Sequence, residues 1–195
     1  MQIQEATTSL APRAQPHAGL YAELLGAGWG GIPDCVRRVH SQGATSQGTL
    51  EVLRSRSWLG RLLGWLLRMP PASPATAVAL CLDGEGTLQV WRRRFGSVSL
   101  ISKQFGESGR LIETYGPVAL CFELRPLSDG LELQLTGVRL QLWTRRLPLP
   151  RWCSPRVSGS ARAEGDQARV DVCIEAPLVG LLLRYRGLVR ALERA

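Results

Sequence analysis

Residues 118–136 read VALCFELRPLSDGLELQLT, and the alternation within them decides the fold. Val118, Leu120, Phe122 and Leu124 fall on one side of an extended chain; Cys121, Glu123 and Arg125 fall on the other. Ser128-Asp129-Gly130 supplies turn chemistry, after which Leu131, Leu133 and Leu135 alternate with Glu132, Gln134 and Thr136. This is an antiparallel hairpin with one face turned to a core. At Gly137 the apolar phase slips by one residue, to Val138, Leu140 and Leu142, which predicts a bulge that bends the sheet.

The same period of two extends in both directions. Upstream, Thr76 to Leu82 and Thr87 to Phe95 flank the turn Asp83-Gly84-Glu85-Gly86, and Ser97 to Phe105 and Arg110 to Tyr115 flank a turn with Gly106 and Gly109. Downstream, Leu147-Pro148-Leu149-Pro150 reads as a stiff connection, and Arg156 to Ala163 and Ala168 to Glu175 flank Gly165-Asp166. Pro177 to Leu192 is open between strand and helix, with the balance toward a strand through Tyr185 and a frayed or helical end.

Toward the N-terminus the period lengthens. Ala18 to Leu25 and the stretch from Pro33 to His40 have helical spacing, separated by the glycine-rich run Gly26 to Gly31. Ala44 to Arg54 reads as a strand. Trp58 to Arg68 is helical again, with Leu59, Leu62, Leu63 and Leu66 on one face, and Met69-Pro70-Pro71 ends it. The order is two or three helical pieces, then seven or so strands joined by short turns. Such a chain is α+β: a strongly curved, mainly antiparallel sheet or barrel with the N-terminal helices packed against it. Residues 1–17 are expected to form a flexible tail and residues 18–195 a single domain.

The charge is one-sided. The formal net charge is +8, and Lys103 is the only lysine. Arginine suits planar contacts to phosphate or carboxylate, so an anionic ligand or lipid surface comes into view, but the arginines are scattered rather than gathered as in a dedicated nucleic-acid binder. The five cysteines have no C-x-x-C spacing, which argues against a zinc site or a disulfide framework and for a reducing compartment. The N-terminus lacks a secretory pattern, and the apolar runs are too short to span a bilayer, so a cytoplasmic protein is expected.

No metal or catalytic motif is present, and no cofactor is expected. Gly26-x-Gly28-x-x-Gly31 has the letters of a dinucleotide fingerprint but follows a helix instead of a strand. His40 closes an amphipathic helix and reads either as a ligand-binding imidazole or as a helix-end contact. Trp91-Arg92-Arg93-Arg94-Phe95 is the most unusual stretch: Trp91, Arg93 and Phe95 share one strand face. A buried arginine there needs an anionic partner, and Glu113, beside Tyr115, is the candidate. The trio is either a cluster gripping a ligand's head group or a cross-strand ion pair on a solvated face. The helix Trp58 to Arg68, with its tryptophans and flanking arginines, suits a helix packed on the sheet, a lid over a barrel mouth or an interfacial membrane contact.

Several pieces in a fixed order carry a family resemblance. They are Val36-Arg37-Arg38-Val39-His40, Gly48, Pro70-Pro71, Trp91-x-Arg93-x-Phe95, Leu111-Ile112-Glu113-x-Tyr115-Gly116, Leu147-Pro148-Leu149-Pro150 with Pro155, Pro177-Leu178-x-Gly180 and Tyr185-Arg186-Gly187. From about Tyr21 to Gly187 the chain resembles the bacterial domain of unknown function 4166. The resemblance implies a module found alone or behind a saccharopine-dehydrogenase-like NAD-binding domain, so any redox role is expected to call on a separate chain. Some members carry a histidine just before the Pro-Leu-x-Gly piece, where this chain has Ala176.

The functional expectation is a binding module for an apolar or amphipathic anionic ligand, with Arg93, Glu113, Tyr115, His40 and Trp91 as ligand-binding residues. The alternative is a small enzyme or accessory subunit acting on a carbonyl or acyl substrate, with His40, Glu113 or Tyr115 as acid or base.

Overall fold

The computed structural model describes residues 19–193 apart from 86, 143, 144 and 151. The expected tail over residues 1–17 lies outside the described residues. Helix α1 (Leu20–Leu25), a 3-10 turn (Gly26–Gly31) and helix α2 (Asp34–His40) precede strand β1 (Thr45–Arg54). Helix α3 (Trp58–Leu66) separates β1 from a meander of β2 (Ser73–Glu85), β3 (Leu88–Phe95), β4 (Val98–Glu107), β5 (Arg110–Tyr115), β6 (Val118–Leu127) and β7 (Gly130–Leu142). Then follow β8 (Arg145–Pro148), β9 (Arg156–Glu164), β10 (Gln167–Ala176) and β11 (Gly180–Ala191).

Ten of these strands close an antiparallel barrel. From β1 to β7 each strand pairs with its neighbour in sequence, β7 pairs with β9, and β11 returns to β1, placing Leu50 opposite Gly187 and Val52 opposite Tyr185. Gly187 sits at φ 154°, and a side chain there would strike the Thr49 carbonyl, so glycine lets β11 approach β1 at the closure. Strand β8 stands outside the ring. It occupies the edge of β7 at Arg139 to Leu142, beyond Gln134 where the β7–β9 ladder ends.

The bulge expected at Gly137 is present. Cys121 faces Gly137 and Phe122 faces Leu135, which leaves Thr136 as the extra residue, its hydroxyl donating to the Cys121 carbonyl at 3.0 Å. Two expectations need correction. The described strands number eleven, not seven or so: the segments read one by one come to ten, and the prolines in Leu147 to Pro150 hid the edge strand β8, where a proline is tolerated. The last segment is a strand through Ala191, since β1 and β10 hold it on both edges. In α3 the leucine stripe is divided: Gly60 and Gly64 are buried, Leu59 and Leu63 beside them are half-buried, and Leu62 and Leu66 are exposed.

The two barrel ends differ. Where β1 starts, α1 and α2 form a plug, burying Leu20, Tyr21, Ile32, Val36 and Val39. Each such aliphatic side chain contributes roughly 1.5–3 kcal/mol on leaving water. Where β1 stops, α3 lies against β11 and β1, its Gly64 on the Arg54 guanidinium and its Gly60 on Ser55 and Val179. Arg54 fastens the chain after α3 by donating to the carbonyls of Met69 (3.2 Å) and Pro70 (3.0 Å).

Candidate functional site

A cavity of about 340 Å³ occupies the barrel interior. It runs from Tyr21, Val39 and His40 of the plug to Leu67, Met69, Leu149 and Pro155 at the far end. Leu67 lines it and is 52% exposed, so the interior meets the surface beside α3. The wall built by β6, β7, β10 and β11 is largely apolar, with Leu120, Phe122, Leu133, Val138, Val172 and Leu183, and Tyr185 of β11 adds one phenol to it. The wall built by β3 and its neighbours β4 and β5 is polar, with Trp91, Arg93, Gln104, Glu113 and Tyr115.

Strand alternation produces that polar strip. On β3, Gln89, Trp91, Arg93 and Phe95 turn inward, while Arg92 turns outward and pairs with Asp83 at 3.1 Å. On β4 the inward residues include Ser102 and Gln104, and on β5 Leu111 and Glu113. Arg93 and Glu113 therefore meet across the intervening strand: Nη2 donates to Glu113 Oε1 at 2.8 Å, and Nη1 donates to Ser102 Oγ at 2.9 Å and to Tyr115 Oη at 2.7 Å. The Ser102 hydroxyl donates to the same Glu113 oxygen at 2.5 Å. Both ionic side chains are nearly buried, at 10% and 8% exposure. The reading as a cross-strand pair on a solvated face is thus overturned; the residues lie two strands apart and inside the barrel.

Nearer the plug the strip becomes aromatic. The His40 ring lies 4.9 Å from Tyr21 and 5.6 Å from Trp91, and the Arg93 guanidinium is 4.9 Å from the Trp91 ring. Tyr21 donates to Gln104 Oε1 at 3.0 Å. His40 Nδ1 is 2.9 Å from the Val36 carbonyl, one turn back in α2, so Nδ1 carries the proton and donates. His40 thus makes a contact at the end of its helix and also lines the cavity. The Trp91 indole N–H is buried with no acceptor among the described residues.

Protonation follows from this burial. Desolvation works to raise the Glu113 carboxyl, but the Arg93 charge and the bonds from Ser102, Arg93 and Tyr115 outweigh it and hold the group below the usual carboxylate range. Burial pushes the Tyr115 and Tyr21 phenols above their ordinary range. Burial also lowers His40 to about 4, with the Arg93 charge adding to it and the Val36 bond opposing. At neutral pH the strip holds one cation, one anion and otherwise neutral groups.

All five residues expected at the site, Arg93, Glu113, Tyr115, His40 and Trp91, line this one cavity. Sequence reasoning passed over Ser102, Gln104 and Tyr21. The signal for the first two was there: Leu100, Ser102 and Gln104 share a strand face, and two polar residues on an inward face need partners. Tyr21 carried no such signal, being a single aromatic in a six-residue helix.

Residues 32–189 match a family described as Domain of unknown function (DUF4166). The chain belongs to this family. The DUF4166 match begins just before α2 and ends within β11, so it takes in the barrel and all five cavity residues but not Tyr21. No curated protein and no solved structure matches the chain. Among the described residues of this DUF4166 protein, no group of three or more His, Cys, Asp or Glu is placed to hold a metal ion, and no helix is long and apolar enough to cross a membrane. The glycines from Gly26 to Gly31 form a 3-10 turn after a helix, without the strand a dinucleotide fingerprint requires.

Proposed function

We propose that this protein is a binding module that takes an amphipathic small molecule into its barrel. The ligand's polar head rests against Arg93, Glu113, Tyr115 and Trp91, and its apolar body against the β6–β11 wall. The observation that carries the reading is the one-sided polarity of the cavity, an apolar chamber with a single convergent group of polar side chains. The unmet Trp91 N–H supports it: a buried donor without a partner costs roughly 1–3 kcal/mol, which a ligand acceptor would recover.

The charge balance narrows the head group. Arg93 is already neutralised by Glu113, whose depressed pKa resists protonation. An anionic head would face that carboxylate, so an uncharged hydroxyl or carbonyl head fits better than the anionic one expected from composition. An acid–base enzyme is the second reading, because His40, Glu113 and Tyr115 line the same cavity. It is the weaker one. A general base or acid works best with a pKa near the working pH, and each of these groups is displaced away from neutrality.

The test is native mass spectrometry and fluorescent-probe displacement with 1-dodecanol, dodecanoate and the uncharged apolar probe N-phenyl-1-naphthylamine. The wild type is expected to bind the probe and to release it to dodecanol more readily than to dodecanoate. Replacing Arg93→Met together with Glu113→Leu removes both charges at once and should keep the fold, whereas either change alone strands a buried charge and costs roughly 3–5 kcal/mol. The double variant should still bind the probe but lose the preference for dodecanol. A wild type that takes up none of the three overturns the proposal, and tighter dodecanoate binding overturns the uncharged head.

A further inference from the structure

The open end of the barrel differs from the plugged end in charge and in polarity. Many of the acidic residues stand toward the plug, while Glu51 and Asp171 lie within β1 and β10, paired with Arg186 and Arg184. Asp83, Glu107, Asp129, Glu164 and Asp166 stand in or beside the turns at the plugged end, and each pairs with an arginine. At the open end the sequence from Val52 to Leu82 has no Asp or Glu, and neither has Leu133 to Ala163 or Ala176 to Leu192. Glu175, at the end of β10, is the nearest exception. Arg56, Arg61 and Arg68 form no ion pair among the described residues.

The same end carries the large apolar side chains left in water. On α3, Trp58 is 76% exposed, Trp65 74% and Leu66 59%; Leu178 in the β10–β11 turn and Trp152 in the β8–β9 connection stand clear of the surface as well. The cause on α3 is visible in its packing. Gly60 and Gly64, flanked by the half-buried Leu59 and Leu63, occupy the face against the barrel, which leaves Trp58, Leu62, Trp65 and Leu66 outward. Leu178 even holds a positive φ of 66°, an uncommon conformation for a leucine that keeps its side chain in solvent.

We infer that this end docks on an anionic phospholipid surface, with α3 lying in the headgroup region and the cavity mouth at Leu67 facing the lipid. Tryptophan and leucine enter the interface while unpaired arginines meet lipid phosphates, the combination that holds an amphipathic helix in a membrane surface. The plugged end, where acids and arginines balance in pairs, then faces away from the bilayer, which fixes the orientation. Together with the binding proposal this makes the mouth the point of exchange between bilayer and barrel; the docking itself stands on the charge and packing of the open end.

Flotation with phosphatidylcholine vesicles, with and without phosphatidylglycerol, tests it. The wild type should float with the anionic vesicles, release at high salt and stay behind with phosphatidylcholine alone. Trp58→Ala with Trp65→Ala, and Arg56→Glu with Arg61→Glu, should each weaken binding about tenfold or more while the melting temperature holds. The Arg93→Met, Glu113→Leu variant should float like the wild type, so failure of the cavity proposal and failure of docking are separable. No flotation, or equal flotation of both surface variants, overturns the inference. So does a lipid-free dimer that the tryptophan variant dissolves, since a second copy would then cover this face.

Discussion

His40 shows how one residue's surroundings set a property of the whole protein. The ring is 7% exposed, its Nδ1–H is committed to the Val36 carbonyl, and burial lowers its pKa from 6.5 to about 4. Between those values the unfolded chain binds a proton that the folded protein refuses. Stability is therefore full above about pH 6.5 and falls as the pH drops toward 4. At pH 5 the loss relative to pH 7 is about 2 kcal/mol. Glu113 acts in a lower window: its folded pKa is depressed below 4.5, so the stability it lends is present above that value and is lost as the pH falls through its folded pKa. Urea unfolding at pH 7 and pH 5 thus isolates the histidine. His40→Gln should flatten the difference between the two pH values, and an unchanged difference would assign it to another group.

At the scale of elements, the lesson lies in which side chains decide packing. The hairpin pattern was legible because strand faces alternate strictly and the barrel interior sorts them: Val118, Leu120 and Phe122 line the cavity, as their spacing required. The cluster of Arg93, Glu113 and Tyr115 was legible as a composition, but its depth was not. Whether an inward-facing arginine is solvated depends on barrel closure, which no local spacing reveals. The packing face of helix α3 was hidden for a related reason. Its leucine stripe is only half taken up, because the helix meets the Arg54 side chain and Ser55, where only glycine fits. Gly60→Val should crowd Ser55 and Val179 and cost roughly 1–3 kcal/mol. Leu62→Ala, on the exposed side, should stay within about 0.5 kcal/mol. Denaturant melts of the two variants decide the orientation, and a larger loss for Leu62→Ala would mean that the leucines are the packed face.

For the whole molecule, the chain order of the strands concentrates the cost of folding in one place. Most strand pairs join neighbours across short turns. The ring shuts only when β11 lies on β1, after nearly the whole chain has been threaded. Such a distant contact must repay the entropy of a long loop before it gives anything back. What it returns is large: β11 supplies Leu183, Tyr185 and Val189 to the core, gives both edges a partner and completes the chamber against the polar strip. A chain ending at Ala176 keeps α1 to β10 but leaves β1 and β10 as bare edges, open to pairing with other molecules. That variant should lose its near-ultraviolet circular dichroism, bind no N-phenyl-1-naphthylamine in a defined site and elute from size exclusion as aggregate. A monomer with intact aromatic dichroism would show instead that the meander from β1 to β10 holds its shape unclosed, and that β11 serves the cavity more than the fold.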